Sequence, residues 1–153
     1  MVNHAGGISV ITFVVAVAVS MGYYQFVYIP QANAKPTLPE TVLNPAETTK
    51  VNIAEGSSLP TNGQFFVPKE ARGVFGLSNK VEWTNGDVTG HTVTSDNGYV
   101  DKINGDFDSI KSIGVIPPGQ TFDFTFTEVG DYPYHCEPHP HMQGVVHIVE
   151  NFA

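Results

Sequence analysis

Between Tyr132 and Gly144 the chain reads YPYHCEPHPHMQG, which sets His135, Cys136, His139, His141 and Met142 in one short stretch. Cys136 and His139 are separated by two residues, so a tight loop can present both to one metal ion. Met142 follows three residues after His139. A thiolate, an imidazole and a thioether form a soft donor set, and soft sets favour copper, above all where Cu(I) must be held. One further nitrogen would complete a trigonal plane. His91 is the sole histidine in the middle of the chain, and it follows a glycine-containing loop.

Each donor also has a plainer reading. A lone cysteine is often a small buried hydrophobe. His91 can be a loop histidine tied to its neighbours, and Met142 can be filler beneath the loop. His141 competes with His139, although a Cys-x4-His spacing leaves Met142 adjacent and poorly placed. With a strand period of two, Tyr132, Tyr134 and Cys136 share one face while Pro133 and His135 share the other. If the tyrosines face the core, Cys136 points inward and His135 outward. His147, on the last strand, reads as a surface histidine. A structural zinc site wants four strong ligands, and this set offers three and a thioether. A dinuclear copper centre needs a second cysteine, and the chain has one.

The elements that must hold these side chains read as β structure. Val51 and Ile53 alternate with polar residues. Gln64–Val67, VEWT at 81–84, HTVTS at 91–95, TFDFTFT at 121–127, Tyr132–Cys136 and Gly144–Val149 are further strand candidates. Phe122, Phe124 and Phe126 alternate through a full strand. Asn85-Gly86 and Pro117-Pro118-Gly119 mark turns. Seven or eight short strands at this spacing predict an all-β sandwich or Greek-key barrel. Residues 70–80 and 96–116 carry no clear pattern.

The N-terminal part is of another kind. The 7 basic and 15 acidic residues all lie at or after Lys35. Residues 5–29 form an uncharged apolar run long enough to cross a bilayer as a helix. Tyr23, Tyr24 and Tyr28 sit where rings favour the membrane interface, and Pro30 is expected to stop the helix. The competing reading is a signal peptide cleaved near Ala34, at Ala32-Asn33-Ala34. Either way the rest of the chain lies outside the cytoplasm. The expected division is an anchor at 1–30, a proline-containing spacer at 31–49 with Pro36, Pro39 and Pro45, and a β domain at 50–153.

The charge balance narrows the partners. A formal net charge of -8 repels phosphates and argues against nucleic acid. Asp96, Asp101, Asp106 and Asp108 form an acidic run that could steer a basic partner, or be an ordinary solvated loop. The single cysteine excludes an internal disulfide.

The ligand loop, with Tyr134-His135-Cys136 before it and His91 upstream, resembles the cupredoxin (blue-copper) family, and amicyanin-type and plastocyanin-like members most. WTNGDVTGHTVTS (83–95) resembles the strand–loop–histidine segment of such domains, and PPGQTFDFTFTEVGDYPYHC (117–136) their hairpin into the cysteine strand. The likeness covers roughly residues 50–150. It implies a Greek-key cupredoxin domain holding one copper ion, cycling between Cu(I) and Cu(II). His91, Cys136 and His139 would be its equatorial ligands and Met142 the long axial one. It further implies a type 1 one-electron carrier rather than an enzyme, docking redox protein partners near His139 on the outer side of the cytoplasmic membrane. The alternative is a small mononuclear copper oxidoreductase whose open axial site admits a small molecule such as nitric oxide. Two departures matter. Pro138 removes a backbone N–H beside the thiolate, and Thr92 stands where such proteins often carry an asparagine that bonds across to the ligand loop.

Overall fold

The computed structural model describes residues 5–32 and 38–150. The chain divides into two compact units, Met1–Thr37 and Leu38–Ala153. In the first, helix α1 (Ala5–Tyr23) runs into a π-helical turn (Tyr24–Tyr28) and a short helix α2 (Ile29–Ala32). The stretch Val10–Gln31 has 22 residues and a mean hydropathy of 1.8. At about 1.5 Å per residue it matches a hydrocarbon core of about 30 Å, so by length and composition it is able to cross a membrane. Tyr24 and Tyr28 stack with ring centroids 5.3 Å apart. Pro30 does not end the helix, contrary to expectation. The wide turn before it, in which Ile29 donates back to Tyr24 O, shifts the hydrogen-bond register where proline lacks its N–H. Of the proposed cleavage site, Asn33 and Ala34 lie outside the described residues.

The second unit is a sandwich of two four-stranded sheets. One has the order β2-β1-β4-β8 and the other β3-β10-β9-β5, with a small hairpin β6-β7 beside them. The strands are β1 (Thr48–Ile53), β2 (Phe66–Val67), β3 (Glu70–Val74), β4 (Lys80–Asn85), β5 (Thr94–Ser95), β6 (Val100–Asp101), β7 (Gly105–Asp106), β8 (Thr121–Thr125), β9 (Gly130–Cys136) and β10 (His139–Val149). Among the described residues there are ten, eight in the sandwich as expected and two in the β6-β7 hairpin; four of the ten are two-residue pairings that no alternation announces. β1 pairs with β4, and β3 with β10, in parallel. β3 and β4, consecutive in the chain, thus lie in different sheets, as do β8 and β9, so the chain crosses between the two sheets.

Burial follows the period-two reading. Val81, Trp83 and Asn85 of β4 face inward, as do Phe122 and Phe124 of β8 and Tyr132, Tyr134 and Cys136 of β9. With Val51, Ile53, Phe107, Phe126, Val146 and Ile148 they form one hydrophobic cluster between the sheets. The packed unit starts earlier than Lys50. Residues 38–47 fall in the expected spacer, yet a one-turn helix α3 (Glu40–Leu43) buries Val42. The buried Asn79 amide ties that turn down, donating to Val42 O and Phe126 O at 2.8 Å each.

The segment expected as strand 91–95 pairs with β9 only at Thr94 and Ser95. His91 is held instead by a two-way bridge to Ile116, with His91 N to Ile116 O at 3.2 Å and the return bond at 2.8 Å. The patternless stretch 96–116 is an ordered excursion of β6, β7 and a short helix α4 (Ser109–Ser112). Its aspartates are occupied in holding it. Asp108 caps α4 by accepting from Ile110 N, Asp106 pairs with Lys111, and Asp101 is buried as an acceptor. Asp96 pairs with His135. The acidic run is therefore a structural framework more than a free charged face.

Candidate metal centre

Three elements converge at one end of the sandwich. β9 delivers Cys136 at its last position, with the tyrosines on the same face fixing its direction. A tight turn through Glu137 and Pro138 returns the chain so that His139 pairs opposite Cys136. The ladder then shifts between His139 and Gln143, so Pro140, His141 and Met142 bulge out of register. From the other sheet, the loop after β4 brings His91. Gly90 packs closely there, since a Cβ would meet Val115 Cγ1 at 2.5 Å and force that side chain to shift.

The side chains meet closely. Cys136 Sγ lies 3.6 Å from His91 Nδ1 and 3.5 Å from His139 Nδ1. The three donor atoms all lie within 4.8 Å of one another. A metal bonded to nitrogen at about 2.0 Å and to thiolate at about 2.3 Å, with an angle between tetrahedral and trigonal, separates N from S by about 3.5–3.7 Å. The observed separations fit that requirement. Cys136, His91 and Met142 are fully buried, while His139 is partly exposed between exposed Pro138 and Pro140. Burial and the neighbouring rings of His91 and His141 lower the His139 pKa, against a smaller opposing pull from Asp87. A neutral, ligand-ready imidazole is thereby favoured.

The remaining histidines have other partners. His141 Nε2 lies 3.1 Å from Ser57 O, and its ring sits edge-on to Phe65. His135 points away from the core, with Nδ1 2.5 Å from Asp96 Oδ1. His147 pairs with Asp131 across the ladder.

The thiolate has its own hydrogen bonds. Thr92 N donates to Cys136 Sγ at 3.3 Å, and Thr92 Oγ1 lies 3.8 Å from the same sulfur. Thr92 Oγ1 also accepts from Glu137 N at 2.8 Å. The threonine thus supplies the link between the two ligand loops that an asparagine would otherwise make.

Behind His91 lies a partner that no reading of the sequence singles out. His91 Nε2 donates to Asp87 Oδ2 at 2.9 Å, with Ser57 Oγ and Thr89 Oγ1 at 3.2 and 3.1 Å. Asp87 is itself 2 % exposed. Burial alone would raise its pKa. The bonds from His91, the Gly56 and Val88 N–H groups and the Thr89 hydroxyl outweigh that and hold it well below the usual carboxylate range. The available signal was Asp87 four residues before His91 in a compact loop. Ser57 had none, because its proximity is purely tertiary.

Fold and donors together define a cupredoxin with a single mononuclear metal centre, and comparison with known proteins agrees. The profile of the family of copper binding proteins, plastocyanin/azurin family, matches residues 65–149, and the chain belongs to that family. His91, Cys136 and His139 form a site suited to the copper that this family binds. The chain is similar to amicyanin from Paracoccus versutus, 39% identical over 72 residues, which is 46% of this chain and 48% of that protein. It thus spans about half the length of that relative. Among solved structures it is similar to a purple cupredoxin from Nitrosopumilus maritimus, with a TM-score of 0.53 and 28% identity over 65% of this chain and 98% of that one. A copper-containing nitrite reductase from Thermus scotoductus shares the fold, with a TM-score of 0.51 and 19% identity over 78% of this chain and 28% of that one.

Proposed function

We propose that this protein is a type 1 copper electron carrier, with one copper bound by His91 Nδ1, Cys136 Sγ and His139 Nδ1 and Met142 as the weak axial ligand. The observation that carries this reading is the N–S spacing of 3.6 and 3.5 Å around one thiolate. When bound, the copper supplies a one-electron Cu(II)/Cu(I) couple. The chain keeps the donor positions fixed through both states. Cys136 is anchored by the β9–β10 ladder, His91 by its bridge to Ile116, and the two loops by Thr92. Little rearrangement is then needed when an electron arrives or leaves.

The partly exposed His139 is the proposed point of exchange. Around the loops that build the site, Leu59, Val88 and Val115 are exposed at 62%, 77% and 50%, and Pro138 and Pro140 flank His139. This apolar rim suits a transient docking face for a redox protein partner. The apolar stretch Val10–Gln31 supports attachment to a membrane, and the proposed arrangement puts the copper domain on the outer side of the cytoplasmic membrane. Removal by cleavage near Ala34 would leave a secreted or periplasmic carrier.

The test is copper titration of the full chain with spectroelectrochemistry. The expected result is one copper per chain, an intense visible thiolate-to-copper band and a reversible one-electron couple. Tight binding without such a band would reject the reading. Intact mass of the protein from its native membranes settles whether the helix is kept.

A further inference from the structure

We propose that Asp87 is a positioning residue for the copper couple. Its buried carboxylate fixes His91 with Nδ1 toward the metal and biases the site toward Cu(II). The proposal rests on the copper reading above. A buried carboxylate is costly unless it is fully bonded, and this one collects donors on both oxygens. Gly56 N and Val88 N reach Oδ1 at 2.9 and 2.8 Å. Ser58 N, Ser57 Oγ, Thr89 Oγ1 and His91 Nε2 reach Oδ2 at 3.2, 3.3, 3.0 and 2.9 Å. Among the described residues its one ion-pair partner is the His91 ring, and no lysine or arginine neutralises it.

The consequence is chemical. With Asp87 accepting at Nε2, the imidazole carries its proton there and offers its lone pair at Nδ1. A carboxylate behind a ligating histidine also raises the ring's basicity. The more strongly donating ring, with the nearby negative charge, stabilises Cu(II) over Cu(I). On reduction, one electron passes from a one-electron donor protein to copper, the Nε2 proton stays on His91, and no bond within the chain breaks. The hydroxyls of Ser57 and Thr89 oppose this pull, since they compete with His91 for the same oxygen.

Three variants separate positioning from mere packing, because the proposal gives them opposite signs. In full-length protein, Asp87→Asn should weaken Cu(II) binding about 10–100-fold relative to Cu(I). The potential then rises by about 59 mV per tenfold. Ser57→Ala and Thr89→Val should lower the potential. A loaded Asp87→Asn protein with an intact thiolate band and unchanged potential overturns the proposal. So do Ser57→Ala and Thr89→Val proteins whose potential is unchanged or raised, and this decides the matter if Asp87→Asn does not fold. In metal-free protein, long-range 1H–15N NMR should find the His91 proton on Nε2, and finding it on Nδ1 overturns the proposal. Failure of the copper reading looks different, since the wild-type protein itself would then lack the thiolate band.

Discussion

Thr92 and Glu137 are joined across the mouth of the metal centre. The threonine hydroxyl accepts the Glu137 N–H at 2.8 Å while the threonine's own N–H donates to Cys136 Sγ at 3.3 Å. One residue therefore fixes both the electronic surroundings of the sulfur and the position of the turn that follows it. Thr92→Val keeps the shape and the N–H but removes the hydroxyl. The expected cost is about 1 kcal/mol of stability, seen in urea unfolding of the metal-free protein, with faster copper loss to a chelator. Unchanged copper loss would show that the turn holds itself.

Met142 is wholly buried in the bulge between His139 and Gln143. Met142→Ala should destabilise the metal-free domain by about 2–5 kcal/mol through the cavity it leaves. If Met142 is also the axial ligand, the copper-loaded variant should show a shifted thiolate band and altered EPR parameters. A stability loss with unchanged spectra would make Met142 core filler alone. A band that then changes with azide or nitric oxide would favour an open site and the oxidoreductase alternative.

Gly144 lies beneath the Tyr134 ring, and a Cβ there would meet Tyr134 atoms at 2.6 Å. Tyr134 is enclosed by Phe66 and Trp83, so it has little room to retreat. Gly144→Ala should cost about 1–3 kcal/mol, read as a lower urea midpoint. Because Tyr134 is two residues before Cys136 on the same face, the copper spectrum should shift as well.

Asp101 governs part of the acid stability. Burial pushes its pKa up, but the N–H groups of Asn104, Ile103 and Thr127 and the Thr127 hydroxyl outweigh that, so the folded value is lowered. A lowered folded pKa means stability that is fully present above the unfolded value of about 3.9. That stability drains away as pH falls below it through the folded value. Asp101→Asn should lose about 2–3 kcal/mol near neutrality and show a shallower decline below about pH 4 than wild type. A parallel decline in both would mean Asp101 carries none of the slope.

Much of this was legible in the sequence, for physical reasons. Phe122, Phe124 and Phe126, and Tyr132 with Tyr134, announce their inward face by simple alternation, and the direction of Cys136 follows from theirs. The pairing of Cys136 with His139 needs only a tight turn. What stayed hidden depends on long-range contact. Val42 looks like one apolar residue in a proline-rich stretch until Asn79 is seen to hold its carbonyl. Ser57 has no pattern linking it to Asp87, 30 residues away. Pro30 misled because a π-helical turn absorbs its missing N–H.

The proposed function stands on Cys136, with His91 and His139, forming a one-electron copper centre. Its most direct test is the optical and EPR spectrum of the full-length protein loaded with Cu(II), compared with Cys136→Ser. The expected result is an intense visible band with one copper per chain in the wild type, bleached by reduction, and no such band in the variant. A wild-type spectrum without that band, or a band that survives Cys136→Ser, would contradict it.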